Sequence, residues 1–193
     1  MSKGATMDLE QYGPIAYLAG EWTSEYAGEN RAPAPDRSVE NSKFRQEISF
    51  TPIGEVNNHE QSLFGLRYNT VAWEEGTPEP FHEELGYWLW DPGRQEVMKT
   101  FVVPRGIAVN AGGVVTPNAT EFTIKAELGS KCFGLSANPF LQEEFQILSY
   151  ETTFTRLDED NFHYAENTRI QMKAQSKVFD HTESNTLTRK AKP

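Results

Sequence analysis

The chain has 193 residues, long enough for one well-buried core and short for two. Its net charge of −10 is dispersed, which argues against nucleic acid or an anionic membrane as partner, since both demand clustered Lys and Arg. No apolar run approaches the roughly 20 residues of a membrane span, residues 1–8 lack the apolar core of a signal peptide, and Cys132 as the only cysteine excludes an internal disulfide or a cysteine zinc site. The expectation is a cytoplasmic protein. The aromatic share of 12% suits strands facing a cavity better than a helical bundle.

In chain order, residues 1–11 read as a loose tail and 12–190 as a single domain. A short helical lead-in over 9–18 carries the apolar run Pro14-Ile15-Ala16-Tyr17-Leu18, and Gly20-Glu21-Trp22 follows. This tripeptide resembles the opening of small calycin-type barrels, in which the glycine lets the backbone turn tightly and the indole plugs the floor. Residues 24–42 are rich in Glu, Asn, Ala, Pro and Ser, a composition that predicts a long loop. From 44 to 50 a period of two appears. Phe44, Ile48 and Phe50 share one face with Gln46 intruding, and Arg45, Glu47 and Ser49 share the other. Pro52 and Gly54 end that strand, and 55–58 makes a turn.

Strand-like runs then recur over 61–73, 81–90, 96–103, 107–115, 121–128, 145–157, 162–173 and 186–189. Turn residues separate them, as in Asp91-Pro92-Gly93 and Asp158-Glu159-Asp160-Asn161. Only the stretch around 139–144 adds a second short helix. About ten strands joined by hairpin-length turns predict an all-β, up-and-down antiparallel barrel, because closure removes the edges an open sheet would expose. A β-sandwich is the competing architecture.

Four histidines are the first candidates for chemistry, and none sits in an HExxH or CxxC setting. His59 lies in a polar turn, and His163 lies in a strand between Phe162 and Tyr164. In His82-Glu83-Glu84-Leu85-Gly86-Tyr87, alternation puts His82, Glu84 and Gly86 on one face. That imidazole and carboxylate could pair and fix one tautomer, or could brace the solvent side of the barrel. His181 lies in Asp180-His181-Thr182-Glu183-Ser184-Asn185 and reads either as a metal-binding imidazole or as a turn residue among polar neighbours. Cys132 has Lys131 beside it and reads as structural. No Gly-x-Ser-x-Gly elbow or Gly-rich phosphate loop occurs.

Taken in order, Pro14…Gly20-Glu21-Trp22, His82-x-Glu84-x-Gly86-Tyr87, the spaced Gly106 and Gly113, and the late His181 resemble the nitrobindin-like group of calycin barrels over roughly residues 12 to 190. The resemblance implies a ten-stranded, fatty-acid-binding-protein-like barrel. It also implies a b-type haem at the barrel mouth with His181 as its axial iron ligand, and Trp22 and His82 as further residues of the cofactor pocket. In that family the ferric haem is associated with nitric oxide binding and with isomerising peroxynitrite to nitrate. Two departures stand out. Ser24 and Tyr26 occupy positions where the family has glycines that let the cofactor approach the wall, and polar Thr182-Glu183-Ser184-Asn185 follows His181 as if about two residues were inserted.

Two functional expectations result. One is a haem protein on His181, catalytic toward peroxynitrite. The other is a haem-free, non-catalytic barrel that binds a fatty acid or another small hydrophobic metabolite, lined from among Trp22, Phe44, Phe50, Phe64, Tyr68, Trp88, Phe101 and Phe122. An exposed aromatic edge would support a homodimer in either case.

Overall fold

The computed structural model describes residues 8–191. Of the expected tail, residues 1–7 lie outside the described residues. Leu9–Leu18 forms a 3₁₀ helix, started by Asp8, whose Oδ1 accepts a hydrogen bond from the Glu10 amide at 3.0 Å. The helix kinks at Gly13, where φ is +52° and an added Cβ would lie 2.6 Å from the Trp90 indole.

Eleven strands follow. They are β1 (Gly20–Pro33), β2 (Val39–Asn57), β3 (Ser62–Glu74), β4 (His82–Asp91), β5 (Glu96–Val103), β6 (Ile107–Val114), β7 (Glu121–Leu128), β8 (Gly134–Ser136), β9 (Phe145–Arg156), β10 (Asn161–Met172) and β11 (Phe179–Ala191). A short helix, α1 (Pro139–Glu144), stands before β9, capped by the Asn138 side chain. The sheet closes in the order β1-β11-β10-β9-β7-β8-β6-β5-β4-β3-β2, so the expected all-β barrel is observed and the sandwich is not. The strand beyond the expected ten is β8, three residues wedged between β6 and β7, which pair directly only at Gly112–Lys125. No described helix is long and apolar enough to cross a membrane.

Three segments depart from the sequence-based expectation. The loop expected over 24–42 shrinks to 34–38, because β1 runs to Pro33 and β2 starts at Val39. The register breaks between Ser24 and Gly28 as a bulge, in which Tyr26 takes φ +53°. Strand β2 also continues through Pro52 and Gly54 to Asn57. Proline lacks a ladder donor, and Gly54, at φ +83°, carries the resulting bulge while its amide donates to the Tyr12 hydroxyl at 2.9 Å. Finally, the last strand spans 179–191 rather than 186–189, in unbroken register with β10 from Asn161–Thr188 to Ile170–Phe179. Its inward side chains are mostly polar, so the hydrophobic period that marks a strand is missing.

The apolar core fills the end of the barrel covered by the 3₁₀ helix. Trp22 anchors this floor: Nε1 donates to the Leu18 carbonyl at 2.7 Å, and the indole meets Phe162 edge-on with centroids 4.7 Å apart. The Arg189 guanidinium lies over the same indole at 4.1 Å and donates to the carbonyls of Ala19 and Tyr17, tying the last strand to the helix.

Candidate functional site

Above that floor, the inner face of the barrel turns polar. Strand β5 alternates Val97, Lys99 and Phe101 inward, which carries a lysine into the lumen with its side chain only 5% exposed. Its ammonium lies 3.2 Å from Glu84 of β4 and 3.3 Å from Glu166 of β10, and donates to the Tyr150 hydroxyl at 2.7 Å. Tyr68 donates to Glu84 at 2.8 Å, and Tyr150 donates to Glu166. Burial opposes the charge on Lys99, but Glu166 and Glu84 overcome it and raise the ammonium's pKa. Burial likewise opposes ionisation of Glu84, yet Lys99, His82 and Tyr68 bring its pKa down to about 2.

His82 faces inward beside Glu84, with Nε2 and Oε1 3.3 Å apart, so the pairing expected from alternation on β4 forms on the lumen side. Burial alone would lower its pKa, but Glu84, together with Glu183 and Glu166, raises it to about 9. Gly86 completes that face because the chain is crowded there: an added Cβ would lie 2.1 Å from the Thr100 carbonyl oxygen. His163 lies on the outside and contacts Thr186, and His59 is exposed in a turn.

A second polar group occupies the wall formed by β1, β2, β10 and β11. Gln46, which interrupts the apolar face of β2, donates to Thr70 at 2.9 Å, and its Oε1 faces Tyr164 at 2.8 Å and Asn185 at 2.9 Å. Asn185 also donates to Ser24 at 2.8 Å, so Ser24 is a buried partner within the wall. Where Gly28 lets a neighbour come close, the Phe44 ring has moved in, 2.5 Å from the position of an added Cβ. Tyr164 also contacts Glu183. Burial and the nearby Glu166 push the Glu183 carboxyl up to about 7.

His181 points inward from β11 and is half-buried. The β10–β11 ladder runs without a bulge through the polar residues that follow it. Burial, with His82 and Arg31 nearby, lowers its pKa to about 4, so the ring is neutral at neutral pH. Its Nε2 lies 3.1 Å from Asn30 Oδ1.

Two spaces adjoin these groups. The deeper one, of about 20 Å³, lies among Lys99, Glu84, His82, Tyr164 and Trp88 and has room for a single water. The outer one, of about 660 Å³, lies along β1, β2, β10 and β11 and is bounded by Asn30, Ser42, Glu166 and Glu183 and by their alternating neighbours, Glu29, Arg31 and Lys43 among them, in the size range of small-molecule sites. A b-type haem requires a free imidazole nitrogen facing an apolar slot. Here a neutral histidine is present, its Nε2 is in contact with Asn30, and the adjoining wall carries carboxylates where an apolar slot is required. The other expected pocket residue, Trp22, belongs to the floor. Of the expected lining, Phe50, Tyr68 and Trp88 border the deeper space and belong with Phe101 and Phe122 to the core, while Phe64 packs against Tyr12 and Phe44 against Phe81. Among the described residues no group of His, Cys, Asp and Glu could hold a metal ion.

Sequence reasoning did not reach Lys99, Glu166, Glu183, Tyr150 or Tyr164. Parity was the available signal for Lys99, which stands two residues from both Val97 and Phe101 on an alternating strand. Comparison with known proteins agrees with the barrel. Residues 11–189 match the family model described as THAP4-like, heme-binding beta-barrel domain. The fold is similar to the crystal structure of Rv2717c from M. tuberculosis, with a TM-score of 0.61 and 18% identity, covering 91% of this chain and 94% of that one. At that identity the likeness concerns the fold alone. No curated protein matches the sequence.

Proposed function

Starting from the premise that the chain belongs to the THAP4-like, haem-binding β-barrel family and is a ligand-binding barrel, we propose that this member takes a small hydrophilic molecule at its mouth. The observation that carries the reading is the inner wall itself. Two residues along β11 from His181, cross-strand partners run Ser42–Asn30–Glu183–Glu166, all on the face that would enclose a ligand. Below them Lys99, Glu84 and His82 leave space for no more than a water. A fatty-acid chain would have to desolvate these charges without replacing their partners, which is strongly unfavourable. The binding step proposed is non-covalent and the location cytoplasmic, where the exposed Cys132 thiol stays reduced.

Haem on His181 is the second reading, favoured by one observation: the imidazole is inward and resists protonation down to about pH 4. Peroxynitrite chemistry belongs to that reading alone. Hemin titration separates the two. The expected outcome is no stoichiometric Soret band in either wild type or His181→Ala, and no displacement of an anilinonaphthalene dye by oleate. A one-to-one Soret band that disappears in His181→Ala would overturn the proposal and establish the haem reading.

A further inference from the structure

Outward strand positions carry charge at Arg45 and Glu47 on β2 and at Glu121, Lys125 and Glu127 on β7, but the middle of β4, β5 and β6 presents a face without it. There the residues that alternate with the inward Glu84, Trp88, Lys99 and Phe101 point outward. Cross-strand pairing sets them in three rows. The first runs Asn69–Leu85–Val102–Ala108–Ser136, the second Arg67–Tyr87–Thr100–Asn110, and the third Gly65–Leu89–Met98–Gly112. Arg67, at one edge, is the only charged residue in them.

Apolar side chains dominate the first and third rows. Leu85 and Val102 are direct partners yet 62% and 52% exposed, and Tyr87 beside them is 42% exposed. The glycines of the third row leave no polar gap, because Ile53 and Leu89 lie against Gly65 and the Phe133 ring lies against Gly112. A contiguous apolar surface with polar residues at its rim marks a contact surface.

Charge and symmetry identify what covers it. The net charge is −10, so two copies of the chain repel wherever charged faces meet, and this face lets them approach without opposing like charges. The rows also complement themselves. A two-fold axis running along the strands, between β4 and β5, lays β4 of one copy over β5 of the other and keeps each row on itself. Leu85 then faces Val102, Tyr87 faces Thr100, Leu89 faces Met98, and Arg67 faces the uncharged Asn110. A two-fold across the strands would instead set Arg67 against its own copy. Four strands at about 4.8 Å spacing and three rows about 6.8 Å apart make a face of roughly 20 by 20 Å. Pairing two such faces buries on the order of 1,000 Å² in total, the lower end for a specific interface.

We infer that the outer face of β3–β6 pairs with a second copy of the chain about the axis along the strands. In the closed order β4 and β5 lie across the barrel from β10, so the outer space along β1, β2, β10 and β11 stays outside the interface. The pairing is therefore independent of what the mouth binds.

Sedimentation equilibrium of the full chain tests it. Wild type should pass from monomer to dimer at micromolar concentration, and more tightly at high salt, where repulsion between the acidic copies is screened. Val102→Glu and Leu85→Lys should each weaken the dimer at least tenfold, since each sets a charge against an apolar partner on the other copy. Both positions are more than half exposed, so melting temperatures in dilute solution, where every form is monomeric, should match wild type. An equimolar mixture of the two variants should dimerise again, because the introduced carboxylate and ammonium face each other across the axis. A wild type that stays monomeric at hundreds of micromolar overturns the inference. So does a dimer that neither substitution weakens, or a mixture that does not re-form it. A monomer that floats with phosphatidylcholine vesicles assigns the face to a lipid surface and overturns the inference as well.

Discussion

The floor and the upper lumen of this barrel are built on the same strands with opposite physics. At the floor, Trp22, Phe162, Phe154 and Trp88 form a continuous aromatic cluster, and the polar atom of Trp22 is served locally by Leu18. Farther up the barrel, on β4, β5, β10 and β11, Glu84, Lys99, Glu166 and Glu183 replace them. The floor is stabilised by area removed from water, roughly 25 cal/mol per Å² of apolar surface, and is indifferent to pH. The upper lumen depends on every charge keeping its partner, so its stability is conditional on protonation. One barrel can therefore be rigid at one end and responsive at the other.

The largest expected effects test whether the two regions respond differently to pH. Phe162→Ala, which opens a cavity beside Trp22, should cost about 3–5 kcal/mol in denaturant unfolding, with the same loss at pH 5 and pH 8. Lys99→Met should cost a similar amount, about 3–5 kcal/mol near neutral pH, because Glu84 and Glu166 lose their buried partner. That loss should shrink as the medium is acidified and the carboxylates take up protons. A pH-independent penalty for Lys99→Met would show that packing of the aliphatic stem, and not charge, governs the upper lumen.

Smaller effects sharpen the comparison. Glu183 has its pKa raised to about 7, so its contribution is complete below pH 4.5 and is lost as pH rises through 7. His82 is raised to about 9, so its contribution is complete below pH 6.5 and is lost as pH rises through 9. Wild type should therefore lose stability between pH 5 and pH 9. Glu183→Gln should remove the lower part of that decline, a change on the order of 1 kcal/mol at pH 8 for a group with partial solvent access. Thermal melts across this range measure it. A decline that persists unchanged in Glu183→Gln would assign it to His82 alone.

The strands with apolar inward faces were legible in the amino-acid pattern. The runs at 96–103 and 121–128 coincide with β5 and β7, and the helical segments at 9–18 and 139–144 are present. Gln46 was visible as an anomaly in an apolar face, and the structure gives it Thr70, Tyr164 and Asn185 as partners. The failures share one cause. Strand β11 and the outer halves of β1 and β2 lack a hydrophobic period because their inner faces line a polar mouth, so they read as loops. The site residues on those strands were hidden for the same reason.

By itself the sequence determined that strands alternate, and that His82, Glu84 and Gly86 share a face; Trp22 at the floor came from the likeness of Gly20-Glu21-Trp22 to calycin-type barrels. Local periodicity contains the first two, since side chains two apart point the same way. Only the tertiary structure decided that Lys99 meets Glu84 and Glu166, and that Glu166 stands opposite Glu183. It also decided that His181 brings its Nε2 to Asn30. Those partners lie far apart along the chain, from 15 residues between Lys99 and Glu84 to 151 between His181 and Asn30, and pairing at such separations is set by barrel closure and register, which no local pattern encodes.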